Sequence, residues 1–288
     1  MEVFQYTDMS NKFESAFKTR DWPVVEVDGL KLLRSPLLSA QSGLVHAFTT
    51  RHGGKCPKPF DNFNLGRSVG DDEVKVGALR NRERLLTSLG LDHDKLKVPG
   101  QVHSGTVVKL EGESHDSLSG VDGLATKLSD LPMLLHFADC VPVMVYERQQ
   151  RILAIVHAGW RGTAQSIAVN AVKAITELGG AAENIVAAVG PAIGPCCYPT
   201  ADEVAEQLLS TVETNLSKEM VSELVPRSDK PRPDLKAINA MQLLQAGVHE
   251  VDVSSYCTAC HARIFYSHRQ SGGTTGRQGA LACLVGSK

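Results

Sequence analysis

The stretch HFADCVPVMVYERQQRILAIVHAGWRGT, His136 to Thr163, decides how the chain is read. Met133 to Tyr146 reads as two apolar strands broken at Ala138, Asp139 and Cys140, and Ile152 to Val156 as a third that breaks at His157, Ala158 and Gly159. Apolar runs this short, bounded by turn residues, fit buried strands better than helices. A hairpin-like return between the second and third runs brings Cys140 and His157 to one sheet end.

Upstream, Leu44 to Thr49 is a strand running into a glycine turn at Gly53 and Gly54. Asp71 and Asp72 cap a helix that reaches about Leu89 and closes at Gly90. Val107 to Leu110 is another strand. Downstream, Thr163 starts the clearest helix, in which Ala164, Ile167, Ala168, Ala171, Val172, Ile175 and Leu178 recur at spacings of three and four until Gly179 and Gly180 end it. Ile185 to Val189 is a strand stopping at GPAIGP. Helices over Asp202 to Val212 and Leu235 to Ala246 flank a polar, proline-bearing loop, and short strands near Ile264 to Tyr266 and Ala280 to Val285 finish the chain. Strands and helices mix without a strict alternating rhythm or any repeat. The expected class is α/β (α+β), one domain over 41–288 with helices outside mixed β-sheets, preceded by an N-terminal extension and lead-in segment over 1–40.

Composition narrows the function. The 288 residues are 42% hydrophobic and 22% charged with a formal net charge of -2, and no dense Lys/Arg stripe stands ready to displace counterions from phosphates, so a nucleic-acid partner is not expected. No apolar run reaches the roughly 18 residues that span a bilayer, and the acidic, polar N-terminus does not read as a secretory signal. Seven cysteines, an odd number, then point to reduced thiols in the cytoplasm rather than a disulfide framework.

His103 in GQVHSGT, Cys140 and His157 each stand where an apolar strand meets a break, which is where α/β proteins place sites. Imidazole, thiolate and imidazole suit zinc, and three ligands leave a coordination position open for water or substrate. Arg51 beside Gly53 and Gly54, Arg161 in HAGWRG and Arg269 in FYSHR are anion-binding candidates. The chain has no GxxxxGK[ST] and no GxGxxG, so ATP or dinucleotide use is unsupported. CTACH, with Cys257, Cys260 and His261, has the form of a haem c attachment pattern, but such attachment belongs to an oxidising, exported setting. A zinc-finger reading needs a second ligand pair, and the adjacent Cys196 and Cys197 do not supply CxxC geometry, so a structural thiol cluster is expected.

TTRHGG, FNLGRSVGDD, QVH, VDGLAT, ADCVPVMV, HAGWRG, GPAIGPCCY and CTACH followed by FYSHR occur in an order that resembles the YfiH family, also called laccase-domain or polyphenol-oxidase-like proteins, from about Leu44 to the C-terminus. The resemblance implies a single-domain layered sandwich with a His-Cys-His zinc site. It implies phosphorolysis of adenosine, inosine and methylthioadenosine, with phosphate as co-substrate, and deamination of adenosine. By position, the metal ligands are His103, Cys140 and His157, and Arg51, Asn64 and Arg161 fall in motifs that line the family's pocket. The chain departs from the family pattern at Phe63, at Ser68, where a histidine is usual, and at Ser104, where a glycine is usual. Catalysis is assigned to Cys140 and His157. Asp139 is the acid–base candidate, since no HxE or PCxxC is present.

Two rival enzymes remain. A copper-dependent polyphenol oxidase needs many paired histidines, and the sequence has no HxH, although copper competes well for a His-Cys-His site. A thiol hydrolase or amidase would use Cys140 as nucleophile, activated by His157 or His103. A noncatalytic binding protein would need neither an open metal position nor phosphate.

Overall fold

Every residue of β8 (Val141–Glu147) and β9 (Ile152–Ala158) is buried, with successive side chains on opposite faces. In the computed structural model, which describes residues 17–112, 118–212 and 216–286, Val141, Val143 and Val145 join one apolar cluster while Met144 and Tyr146 join another. Strands buried on both faces lie in the middle of a layered structure.

Numbered in chain order, one sheet has seven strands in the order β1 (Phe17–Arg20), β11 (Glu250–Ser254), β10 (Ile185–Val189), β8, β9, β6 (Gly123–Thr126) and β5 (Val107–Leu110). The second has five: β2 (Val24–Val27), β3 (Leu30–Leu33), β4 (Leu44–Thr49), β12 (Gln278–Leu284) and β7 (Met133–Phe137). The sheets meet through Phe48, Leu135, Phe137 and Ala280 on one side and Leu124, Met144, Ile155 and Val186 on the other. The outer face of the large sheet is covered by α4 (Ile167–Glu177), α5 (Asp202–Leu209) and α7 (Leu235–Gln245). Leu85 and Leu86 of α2 (Asp72–Ser88) cover the outer face of the small sheet together with Phe63 and Leu65. With α1 (Pro36–Ser39), α3 (Trp160–Ala164) and α6 (Lys218–Leu224), the described residues hold seven α-helices, none long and apolar enough to cross a membrane. The fold is the expected mixed α/β layered sandwich.

Several boundaries differ from the sequence reading. Residues 17–39, read as a lead-in, supply β1 to the large sheet and β2–β3 to the small one, and bury Trp22, Leu30, Leu32, Leu33 and Leu38; residues 1–16 lie outside the described residues. The helix expected from Thr163 is two: α3 begins at Trp160, and Ser166, at φ 54°, breaks the run before α4. The segment Ile264–Tyr266 is not a strand. Phe265 and Tyr266 are fully buried, but the Tyr266 amide donates to the Gln278 side chain rather than into a ladder. The loop expected before α7 contains α6.

One buried histidine ties the small sheet to α1. His46, on β4, accepts a hydrogen bond at Nε2 from the Ser35 amide (3.1 Å). Burial, reinforced by the Arg34 charge, lowers its pKa from 6.5 to about 4. Between those values only the unfolded chain takes up the proton, so the stability present above pH 6.5 is lost as pH falls toward 4. The contribution is roughly 3 kcal/mol. Denaturant unfolding at stepped pH is expected to show this loss, and His46→Gln to flatten the profile over that window.

Candidate metal and anion site

Antiparallel pairing of β8 with β9 aligns Pro142 with His157 and Val141 with Ala158. Cys140, just before β8, therefore stands beside His157 at the end of β9. His103 comes in on the loop before β5. The potential ligand atoms of His103, Cys140 and His157 all lie within 4.8 Å of one another. Two neighbouring backbones are left-handed without being glycine, at His103 (φ 64°) and Asp139 (φ 88°). Such conformations persist only where surrounding bonds enforce them. Gly159 is required by close approach: a Cβ there would sit 2.7 Å from His103 Nδ1 and 3.0 Å from Cys140 Sγ.

At His103 the enforcing group is Asp122, just before β6 and fully buried. One carboxylate oxygen accepts the His103 amide (3.0 Å) and His157 Nδ1 (2.8 Å); the other accepts the amides of Val102 (3.0 Å) and Ser104 (2.7 Å) and the Ser104 hydroxyl (2.9 Å). Donation from Nδ1 fixes the His157 tautomer and leaves Nε2 for the side facing Cys140. Asp122 sits in the VDGLAT motif, but the sequence reading gave it no role; the signal available was an acid inside an apolar strand start.

The electrostatics suit a cation. Burial alone would push the Cys140 thiol up, yet the His157 charge and hydrogen bonds from both histidines bring it down to about 6. For His157, burial pulls downward but is outweighed by Cys140 and Asp122, which raise it to about 9. Asp122 is held below the ordinary carboxylate range: burial opposes this, and the His157 and backbone bonds overcome it. The thiolate is thus the stable form of Cys140 near neutrality, as metal ligation requires. One thiolate and two imidazoles, one of them anchored by a carboxylate, fit a zinc-type donor set.

Beside this cluster opens a cavity of about 440 Å³ whose lining includes Arg67, Arg82, Arg277, His136, His103 and His157. Ser68 also lines it, and among the described residues no carboxylate does. Arg82 Nη2 lies 3.1 Å from His136 Nε2. A guanidinium only donates, so that ring nitrogen is the unprotonated one. Burial, then the charges of Arg82 and Arg277, hold His136 well below 6.5. Burial, with the Arg67 charge, brings Arg82 down to about 10. Converging cations that burden one another's charge await an anion. The sequence reading missed all four residues. Arg82 carried a signal: it follows Val74 and Ala78 at four-residue spacing on the buried stripe of α2.

The other sequence-derived candidates are not among the residues that line this cavity. Arg51 donates to the carbonyls of Asp61 and Ala262 and stacks on Tyr266. Buried Asn64 accepts the amides of Gly66 and Arg277 and so fixes the backbone that carries Arg277. Arg161 stacks on Trp160 and, with Arg269, acts electrostatically on Tyr198. Both carboxylate oxygens of Asp139 are engaged, one by the Thr258 hydroxyl (2.7 Å) and one by the Arg269 amide (2.7 Å). Those bonds make Asp139 a tie between Cys140 and the loop after β11. Finally, Cys196 and Cys197, whose adjacency argued against them as a ligand pair, do converge with Cys257 and Cys260, while His261 turns away to donate to the Cys257 carbonyl.

The chain matches, over residues 45–285, a family model described as multi-copper polyphenol oxidoreductase laccase. It is 38% identical over 250 residues to the purine nucleoside phosphorylase YlmD of Geobacillus stearothermophilus, covering 82% of this chain and 88% of that protein. A crystal structure of YlmD from that organism superposes with a TM-score of 0.83 at 34% identity, covering 93% of this chain and 100% of the other. The adenosine deaminase RL5, from an unknown prokaryotic organism, is 35% identical over 244 residues, 81% of this chain and 91% of RL5. The crystal structure of Bacillus licheniformis hypothetical protein YfiH superposes with a TM-score of 0.80 at 30% identity, over 90% of this chain and 97% of the other.

Proposed function

The chain belongs to the YfiH, or laccase-domain, family, and from that membership we propose that it is a cytoplasmic purine nucleoside phosphorylase that holds zinc through His103, Cys140 and His157 and also deaminates adenosine. Adenosine, inosine and methylthioadenosine are its substrates, with phosphate as the second reactant. The observation that carries this reading is the abutment of an arginine-lined cavity, with no carboxylate among its described lining residues, on the His103–Cys140–His157 cluster.

In phosphorolysis a phosphate oxygen forms a bond to the anomeric carbon as the glycosidic bond breaks, and the purine leaves with the electron pair. Arg67, Arg82 and Arg277 hold the phosphate and remove its entropic freedom before attack. His136 positions Arg82 through the unprotonated nitrogen described above. Asp122 keeps His157 and His103 in register where they line the cavity. Zinc, when bound, supplies Lewis acidity at this edge. The name of RL5 supports the deaminase component.

A second reading has its own support: Cys140, His157 and Asp122 form a thiolate–imidazolium–carboxylate chain of the kind thiol hydrolases use. Product analysis separates the two. Incubation of the zinc-bearing protein with adenosine is expected to give adenine and ribose-1-phosphate only when phosphate is supplied. Phosphate-independent cleavage would overturn the phosphorylase reading, and abolition of turnover by iodoacetamide in the metal-loaded protein would favour the hydrolase. Arg277→Gln is expected to raise the KM for phosphate by about 10-fold or more, the loss of one charge-assisted bond, with little change in the KM for nucleoside; initial-rate kinetics in both substrates check this.

A further inference from the structure

A second thiol cluster lies outside the machinery described above. β10 and β11 are parallel neighbours, so the loops that leave their C-terminal ends emerge side by side. The first loop contributes Cys196 and Cys197 from a short 3₁₀ turn over Pro195–Cys197, and the second contributes Cys257 and Cys260. All four Sγ atoms lie within 4.8 Å of one another, and Cys260 Sγ is 3.4 Å from both Cys196 Sγ and Cys197 Sγ. A disulfide needs sulfurs about 2.0 Å apart, and these four thiols are free. Four sulfurs each about 2.3 Å from one tetrahedral ion stand about 3.8 Å apart. The cluster has that size.

Cys257 is bonded as an anionic sulfur would be. The Gly194 amide donates to Cys257 Sγ (3.2 Å). A Cβ on Gly194 would lie 3.3 Å from Cys196 Sγ and 3.4 Å from Cys257 Cβ, so a side chain there would crowd the cage. Lys236 is buried, with its ammonium on the carbonyls of Ser254 and Tyr256, the residues leading into Cys257. A divalent ion with four thiolates keeps a net charge of about −2, which a buried ammonium nearby offsets. The loops are also joined by backbone, through the Thr258 amide donating to the Ala192 carbonyl (3.0 Å).

We propose that Cys196, Cys197, Cys257 and Cys260 form a second, structural zinc site that pins the loop after β10 to the loop after β11. Four protein sulfurs leave no open position, which makes the site a staple rather than a reaction centre. What it staples matters to the first site. Thr258 and Arg269, both on the second loop, hold Asp139 next to Cys140, and the Arg269 guanidinium stacks on Tyr198 of the first loop and donates to the Pro199 carbonyl. The staple therefore sets the wall on the Cys140 side. It stands whether or not the nucleoside chemistry proposed above is right, because metal content reads it directly.

The test is elemental analysis of the full-length protein purified without chelator, with cobalt substitution as a second readout. About two zinc ions per chain are expected, falling to about one in Cys260→Ser and in His103→Ala. Cobalt-loaded wild type should show the intense thiolate-to-cobalt charge-transfer absorption of a tetrathiolate centre, needing no variant, and His103→Ala should keep most of it. The proposal is overturned if wild type carries one zinc that Cys260→Ser leaves in place, if both zinc ions survive in Cys260→Ser, or if mass spectrometry of the native protein finds Cys260 in a disulfide with Cys196 or Cys197.

Discussion

Cys140→Ala is expected to cut phosphorolysis of adenosine by more than about a hundredfold, beyond the range that losing an outer partner of a metal ligand costs. The reason is specific to its position. Cys140 is the one thiolate among the three groups, it carries the negative charge that raises His157, and its sulfur is one of the two atoms, with His103 Nδ1, that Gly159 makes room for. Removing it leaves two imidazoles with too little charge to retain a divalent ion against water. The side chain is only half-buried and small, so the fold should survive, which circular dichroism and a thermal melt would check alongside steady-state turnover and metal content. Normal turnover by this variant would move the chemistry elsewhere.

Asp122→Asn comes next in expected effect, and it touches no substrate. Each oxygen of the buried carboxylate is surrounded by donors, two on one side and three on the other. An asparagine must turn its NH2 toward one of these groups, so at least two N–H donors face another donor whichever way the amide sits. The loop carrying His103 and the ring of His157 lose their common anchor. Zinc affinity measured by chelator competition is expected to fall about 10–100-fold, and denaturant unfolding to show a loss of about 3–5 kcal/mol, as when one partner of a buried ion pair is removed. An unchanged affinity would mean that the histidines are positioned by something other than Asp122.

The layers of the sandwich were legible where the chain is apolar on both faces or on a clean helical stripe. β8, β9, β10 and α4 declare themselves because nearly every residue, or every third and fourth, is aliphatic. Elements whose burial depends on a partner were not. β6 is only Gly-Leu-Ala-Thr, and β11 places Asp252 in mid-strand, where it accepts bonds from Ser35 and Arg20 across long sequence separations. β1 looked like part of a lead-in because its pairing partner, β11, lies more than 200 residues away, and the four-residue β2 and β3 pair only with each other and with β4. The same division holds for the site. His103, Cys140 and His157 are visible because each breaks an apolar run, whereas the arginines of the cavity converge from α2, the loop before it and the mouth of β12. Only Arg82, a charge on a buried helical stripe, broke a local rule. Cys196 and Cys197 misled by adjacency, since a 3₁₀ turn lets neighbouring side chains reach one sulfur on another loop.

The central claim, that imidazole, thiolate and imidazole hold one ion with a position to spare, is tested most directly by zinc K-edge X-ray absorption on the Cys260→Ser protein. With the tetrathiolate staple removed, the account predicts a single zinc environment of one sulfur, two imidazole nitrogens and one light oxygen or nitrogen donor. A sulfur-only shell, or zinc that dissociates completely although His103, Cys140 and His157 are intact, would contradict it.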